Sequence, residues 1–207
     1  MTVVYLAFED EPARAVGERL LREAIPDVEI AGRFGGTGSG YLSKNLPKFI
    51  QMAHTFPVFL LTDLDRIECP PSLVASWCKG RSLPDGLVFR VAVRETEAWL
   101  MADRDGFAAF SGIPKSKLPH DVESLDDPKE ALKTLVRRHG RKDLRASILP
   151  PPTARTARVS ESYNPTLSAF IRDPNGWNPA RAAENSDSLR RARDRLATLV
   201  TRSGQRD

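Results

Sequence analysis

Val58-Phe59-Leu60-Leu61-Thr62-Asp63-Leu64-Asp65 is an apolar run that ends in a pair of aspartates, and its reading decides the fold. Such a run is a strand carried into the interior of a sheet. Residues two apart on a strand point to the same side and lie roughly 6.6 Å apart. Asp63 and Asp65 are therefore expected to aim both carboxylates at one point while Leu64 turns into the core.

Upstream, Val3-Val4-Tyr5-Leu6-Ala7-Phe8-Glu9 is a second strand that also ends in acid. Glu11-Pro12 starts a helix, with acid in the first turn and proline where its missing N–H costs nothing. Val16, Leu20 and Ala24 make that helix's apolar stripe. A short strand over Asp27 to Ile30, a glycine-rich loop from Gly32 to Gly40 and a helix from Tyr41 to Met52, interrupted or started near Pro47, come before the aspartate strand. A short helix around Leu73 to Cys78 and a strand from Leu87 to Val93 come after it. Strand and helix in this alternation argue for an α/β fold, a parallel sheet of about four strands flanked by helices. Ligands of such folds bind beyond the carboxyl ends of the strands, where Glu9, Asp63 and Asp65 all fall.

Two carboxylates about 4 Å apart repel by roughly 4 kcal/mol at an effective dielectric near 20, and Glu9 adds to that. A bound Mg²⁺ (or Mn²⁺), which takes hard oxygen ligands and keeps several waters, would offset the repulsion. So would a basic neighbour such as Arg66 or Arg94, or a raised pKa on one acid. Glu95 and Glu97, in the stretch that runs from the fourth strand into a helix, either join the acidic cluster or merely complement the helix N-terminus. The glycine loop does not match a phosphate-binding Walker loop, because Tyr41 stands where the lysine belongs and the loop follows the second strand. Arg33 and Lys44 are its candidate phosphate contacts.

The chain has 207 residues and a formal net charge of +4. Its bases thicken toward the C-terminal half, from Lys129 through Arg145 and again from Arg190 to Arg195. Acids at the proposed centre with bases around it suit a polyanion such as nucleic acid. The two cysteines, Cys69 and Cys78, stand in no metal-ligand pattern, and His54, His120 and His139 make no zinc signature. That cysteine usage and the absence of a membrane-length apolar run or a basic leader suggest a cytoplasmic protein without membrane partners. Beyond Asp103 the pattern is helical: Asp127-Pro128 opens a helix that closes at Gly140, 149–152 is a stiff proline linker, and the last helix starts at a Ser186 or Ser188 cap. The expected organisation is an α/β core over residues 1–110 and a basic helical extension over residues 111–207, packed into one globular unit. Oligomeric state, including a homo-oligomer, is open at this level.

A glutamate closing strand one before a helix, with Asp-x-Asp closing strand three, resembles the Toprim domain of topoisomerases, primases and the nucleases of the overcoming-lysogenization-defect type. Phe8-Glu9, Leu61-Thr62-Asp63-Leu64-Asp65, the stretch Arg90 to Asp103, Tyr163 and Ser186 to Leu189 resemble in particular the bacterial Toprim-like proteins of unknown function often encoded beside ATPases. The resemblance implies Glu9 as general acid or base and Asp63 with Asp65 as Mg²⁺ ligands. From their own position after the fourth strand, Glu95 or Glu97 would be available to a second ion. The resemblance further implies cleavage of phosphodiester bonds in nucleic acid, in bacterial defence beside an ATPase partner; from their own charge and position, Arg33, Lys44, Arg66 and Arg94 are expected to face the substrate. The competing reading is a non-catalytic sensor or regulatory subunit of the same shape that binds nucleic acid or a protein. Toprim glutamates are usually followed by glycine, and Asp10 stands there, which leaves Glu9 and Glu11 both open as the working acid.

Overall fold

The computed structural model describes residues 1–153 and 156–203. Its strands β1 (Thr2–Phe8), β2 (Val28–Gly35), β3 (Val58–Asp63) and β4 (Leu87–Ala92) form one sheet in the order β2-β1-β3-β4, and every neighbouring pair is parallel. Helices α1 (Glu11–Ala24), α2 (Ser39–Met52) and α3 (Pro70–Cys78) make the crossovers. Side chains alternate between two apolar layers, as the period of two along a strand requires. Leu6, Phe59, Leu61 and Val88 enter one core, and Ala7, Val58, Leu60 and Phe89 enter the other. β3 lies inside the sheet and is covered on both faces, which is why its sequence shows no polar alternation.

The C-terminal half is helical: α4 (Thr96–Ala102), α5 (Arg104–Ser111), a 3-10 turn (Lys115–Lys117), α6 (Pro128–His139), α7 (Lys142–Ile148), α8 (Tyr163–Arg172), α9 (Pro179–Ala183) and α10 (Asp187–Ser203). α8 and α10 pack on α1, and α10 also meets β4. Trp99 and Trp177 are fully buried in this layer, where the Trp99 indole donates to Ser188 Oγ (2.7 Å) and the Trp177 indole to the Trp99 carbonyl (2.9 Å). Asp103 is buried with its charge fully answered. It accepts from the Gly106 N–H (3.1 Å), the Asn178 N–H (2.7 Å) and two guanidinium nitrogens of Arg181 (2.8 Å each). Among the described residues no helix is long and apolar enough to cross a membrane.

Three elements differ from the sequence expectation. β2 runs on to Gly35, so half of the expected glycine loop is strand. The reason is close approach: a Cβ on Gly35 would stand 1.7 Å from the Phe8 carbonyl oxygen, so only glycine lets β2 lie against the end of β1. α2 starts at Ser39 and continues through Pro47, which sits on the exposed side of the helix, where water can take up the carbonyl it leaves unbonded. β3 stops at Asp63, and Asp65 adopts a left-handed conformation (φ 51°).

Candidate functional site

The carboxyl ends of β1, β3 and β4 meet the N-terminus of α4 at one rim of the sheet. Glu9 follows β1 directly, and its Oε2 accepts from the Thr62 hydroxyl (2.6 Å) and the Asp63 N–H (3.1 Å). The glycine segment reaches the same corner, where the Gly38 N–H donates to the Glu9 carbonyl (3.1 Å). Glu9 and Asp63, 54 residues apart in sequence, are thus tied edge to edge.

Asp63 in turn is held by α4: its Oδ1 accepts from the Thr96 N–H (2.9 Å) and hydroxyl (2.8 Å). Burial, then repulsion from Glu97, Glu9 and Asp10, pushes the Asp63 carboxyl well above the ordinary carboxylate range, although the Thr96 hydrogen bond pulls the other way. Burial and Glu9 also raise Asp65, which Lys129 partly offsets. Asp10, the N-cap of α1 through the Ala13 N–H (2.9 Å), is raised to about 6, chiefly by burial, with Glu97 and Glu9 adding to it. Glu95, whose Oε2 accepts from the Lys129 N–H (2.7 Å), is raised to about 7 by burial and by Glu97.

Glu97 is buried in the first turn of α4. The Tyr163 hydroxyl donates to its Oε1 (2.7 Å), and the Lys129 ammonium stands 3.7 Å from the same oxygen and 4.8 Å above the Tyr163 ring. Burial and the Glu97 charge raise the Tyr163 phenol strongly, so it stays a donor. Beside these groups lies a cavity of ≈ 480 Å³ whose wall includes Asp63, Asp65, Glu95, Asp127, Arg66 and Arg158.

Asp63 and Asp65 do not form the expected strand pair, because the left-handed turn at Asp65 breaks the two-residue period between them. Leu64 does turn into the core, 2% exposed. Among the described residues no group of three or more His, Cys, Asp or Glu side chains takes up a metal-holding arrangement. Arg94 props the Asp65 turn from below, donating to the carbonyls of Asp65 (3.2 Å) and Ile67 (3.3 Å). Arg66 stands exposed on the cavity wall, and Lys44 is exposed on α2. Arg33 is turned away to the buried Glu18, at 2.6 Å. Glu11, the alternative working acid, pairs with Arg14 (3.2 Å) and Arg172 (2.6 Å), whereas Glu9 has no ion pair among the described residues.

Sequence reasoning assigned no holding role to the groups that keep the acids in place, Thr62, Thr96, Lys129 and the hydroxyl of Tyr163, although Thr62 and Tyr163 stand among the residues of the family resemblance. Thr62 carried a usable signal as the one hydroxyl in an apolar strand next to the aspartate. No family model, no curated protein and no solved structure matches the chain.

Proposed function

We propose that this rim is the active site of a Toprim-like, Mg²⁺- or Mn²⁺-dependent enzyme that cleaves phosphodiester bonds in nucleic acid. The observation that carries the reading is the tie between Glu9 and Asp63 amid an excess of buried negative charge. Glu97, Glu9, Asp10 and Glu95 crowd the site, and Lys129 is the only cation near enough to pair with one of these acids among the described residues. A protein keeps such repulsion where a ligand relieves it.

One or two of these acids would suffice for a hard cation, since Mg²⁺ keeps several waters and takes only one or two carboxylates in many phosphate-handling sites. Glu9 Oε1, Asp63 Oδ2 and both oxygens of Asp65 accept no hydrogen bond among the described residues, which leaves them available as ligands. A bound ion of this kind would supply charge stabilisation to a phosphate undergoing attack. The chain's own residues do the rest. Thr62 and the Asp63 N–H fix the Glu9 carboxylate so that its other oxygen can take up or release a proton. Thr96 fixes Asp63, and Arg66 and Arg158 place positive charge on the wall that a phosphodiester would meet. An ATPase partner in bacterial defence belongs to the same proposal and rests on the sequence resemblance alone.

The competing reading remains a non-catalytic sensor or regulatory subunit of the same shape, binding nucleic acid or a protein. Calorimetry with MnCl₂ followed by a cleavage assay on single- and double-stranded DNA and RNA separates the two. Mn²⁺ binding and metal-dependent cleavage, both lost in Asp63→Ala with the fold intact, support the enzyme. Neither binding nor cleavage, with and without a co-purified ATPase, would exclude it.

A further inference from the structure

A second and larger cavity of ≈ 760 Å³ opens between α3 and α10 along β4. Among the described residues β4 is an edge strand, paired only with β3. Val74, Leu83, Phe89 and Val91 are among the cavity's apolar lining residues, and its volume lies in the range of small-molecule sites, about 300–1,000 Å³. The Trp77–Phe89 ring contact (5.4 Å between centroids) stiffens the wall.

Three guanidinium groups line this mostly apolar space: Arg81, Arg90 and Arg191. Two are already engaged, Arg191 with Asp187 (2.6 Å) and Arg81 with the Cys78 carbonyl (3.3 Å). Both acids in the lining are committed as well. Asp187 pairs with Arg190 and Arg191, and Glu123 Oε1 accepts from Ser186 Oγ (2.6 Å), Ser188 N–H (2.9 Å) and Ser188 Oγ (2.6 Å).

Arg90 is different. Its Nε is buried without a hydrogen-bond partner, and the guanidinium makes no ion pair among the described residues. It projects from the middle of a strand in which every neighbour is buried and apolar. A buried donor left unmade costs about 1–3 kcal/mol, more for a charged group. Burial and repulsion from Arg195 and Arg191 lower the Arg90 pKa, the mark of a cation without an answering anion. Such a group is retained where a ligand supplies the acceptor.

We propose that this cavity binds a small amphipathic anion, whose phosphate or carboxylate pairs with Arg90 and whose apolar body lies against Val74, Leu83 and Phe89. The site shares no residue with the acidic rim and needs no divalent ion.

The test is an NMR titration of the ¹⁵N-labelled full chain with hexyl phosphate, hexanoate and 1-hexanol, following the arginine Nε–H resonances, together with melting curves of the wild type and Arg90→Met. At least one of the two anions is expected to shift the Arg90 resonance saturably and to bind about tenfold or more tighter than the alcohol, the factor a charge-assisted pair supplies. Whichever anion binds tighter identifies the head group. Arg90→Met is expected to lose that preference and to melt higher than the wild type, because it removes an unanswered charge and keeps the apolar stem. Equal binding of alcohol and anions, undiminished anion preference in Arg90→Met, or a lower melting temperature in that variant would each overturn the proposal.

Discussion

Asp63 is under two opposed demands, because the hydrogen bonds from Thr96 hold its carboxyl where three other acids make its charge costly. Asp63→Asn keeps an oxygen for Thr96 and removes the charge, so it is expected to raise thermal stability by about 2–4 °C for each kcal/mol of repulsion relieved. The same variant should lose Mn²⁺ binding. A melting temperature at or below that of the wild type would show that the site's charges do not repel as the geometry implies. Glu18 is the opposite case. Burial alone would raise its carboxyl, but hydrogen bonds from Arg33 (2.6 Å) and Arg14 (3.2 Å) outweigh it and hold the pKa below the ordinary 4.5. A depressed carboxyl stabilises the fold above its unfolded pKa and ceases to do so as pH falls through its folded one. Glu18→Gln should therefore cost about 1–3 kcal/mol at pH 7, and the gap to the wild type should close below pH 4.5, as read from urea titrations across pH 2–7.

At the level of elements, α1 lies so close on β1 that a Cβ on Gly17 would stand 2.7 Å from Leu6 Cδ1. Gly17→Ala gains roughly 1 kcal/mol of helix propensity but overfills a packed core, at a cost of about 1–3 kcal/mol. Net destabilisation is expected in chemical denaturation, with the strand pairing Leu6↔Phe59 the first to lose amide protection. The elements legible in the sequence were those whose own residues decide them. β3 opens with four apolar residues in a row, and α6 is bounded by its Asp127 cap and Pro128 at one end and Gly140 at the other. β2 was half hidden because it is an edge strand. Glu29 and Ala31 face outward, and its glycines, which read as a loop, are there for close approach to Tyr5 and Phe8. The turn at Asp65 was hidden for a related reason, since aspartate tolerates the left-handed region without announcing it. Glu9 and Asp63 were legible as acids at strand ends, whereas Thr96, which holds Asp63, and Tyr163, which holds Glu97, act across the fold and leave no local pattern.

Across the whole molecule, the C-terminal arginines are less open to a polyanion than their number suggests. Arg190 and Arg191 pair with Asp187, and Arg193 reaches Glu23 on α1 at 2.8 Å. The Arg193 pair binds the helical half to the α/β half, while the other two lie within α10. The core says the same, because Trp177, Leu189 and Leu196 from the C-terminal half share one apolar cluster with Leu6, Val16 and Phe59. Residues 1–110 alone would expose the faces of α1 and β4 that α8 and α10 cover, and would leave Asp103 buried without Arg181 and Glu97 without Tyr163. Each uncovered Leu or Trp position forfeits about 1.5–3 kcal/mol of burial, against a total stability of only about 5–15 kcal/mol for a domain. A fragment ending at residue 110 is therefore expected to lack dispersed amide resonances and a cooperative melt. Adding residues 111–207 as a separate chain should restore both, because the contacts between the halves run through one continuous core and Asp103 finds Arg181 again. A fragment 1–110 that melts cooperatively on its own would mean that the sheet carries its own stability and that the acidic rim can be built without the helices that hold Glu97.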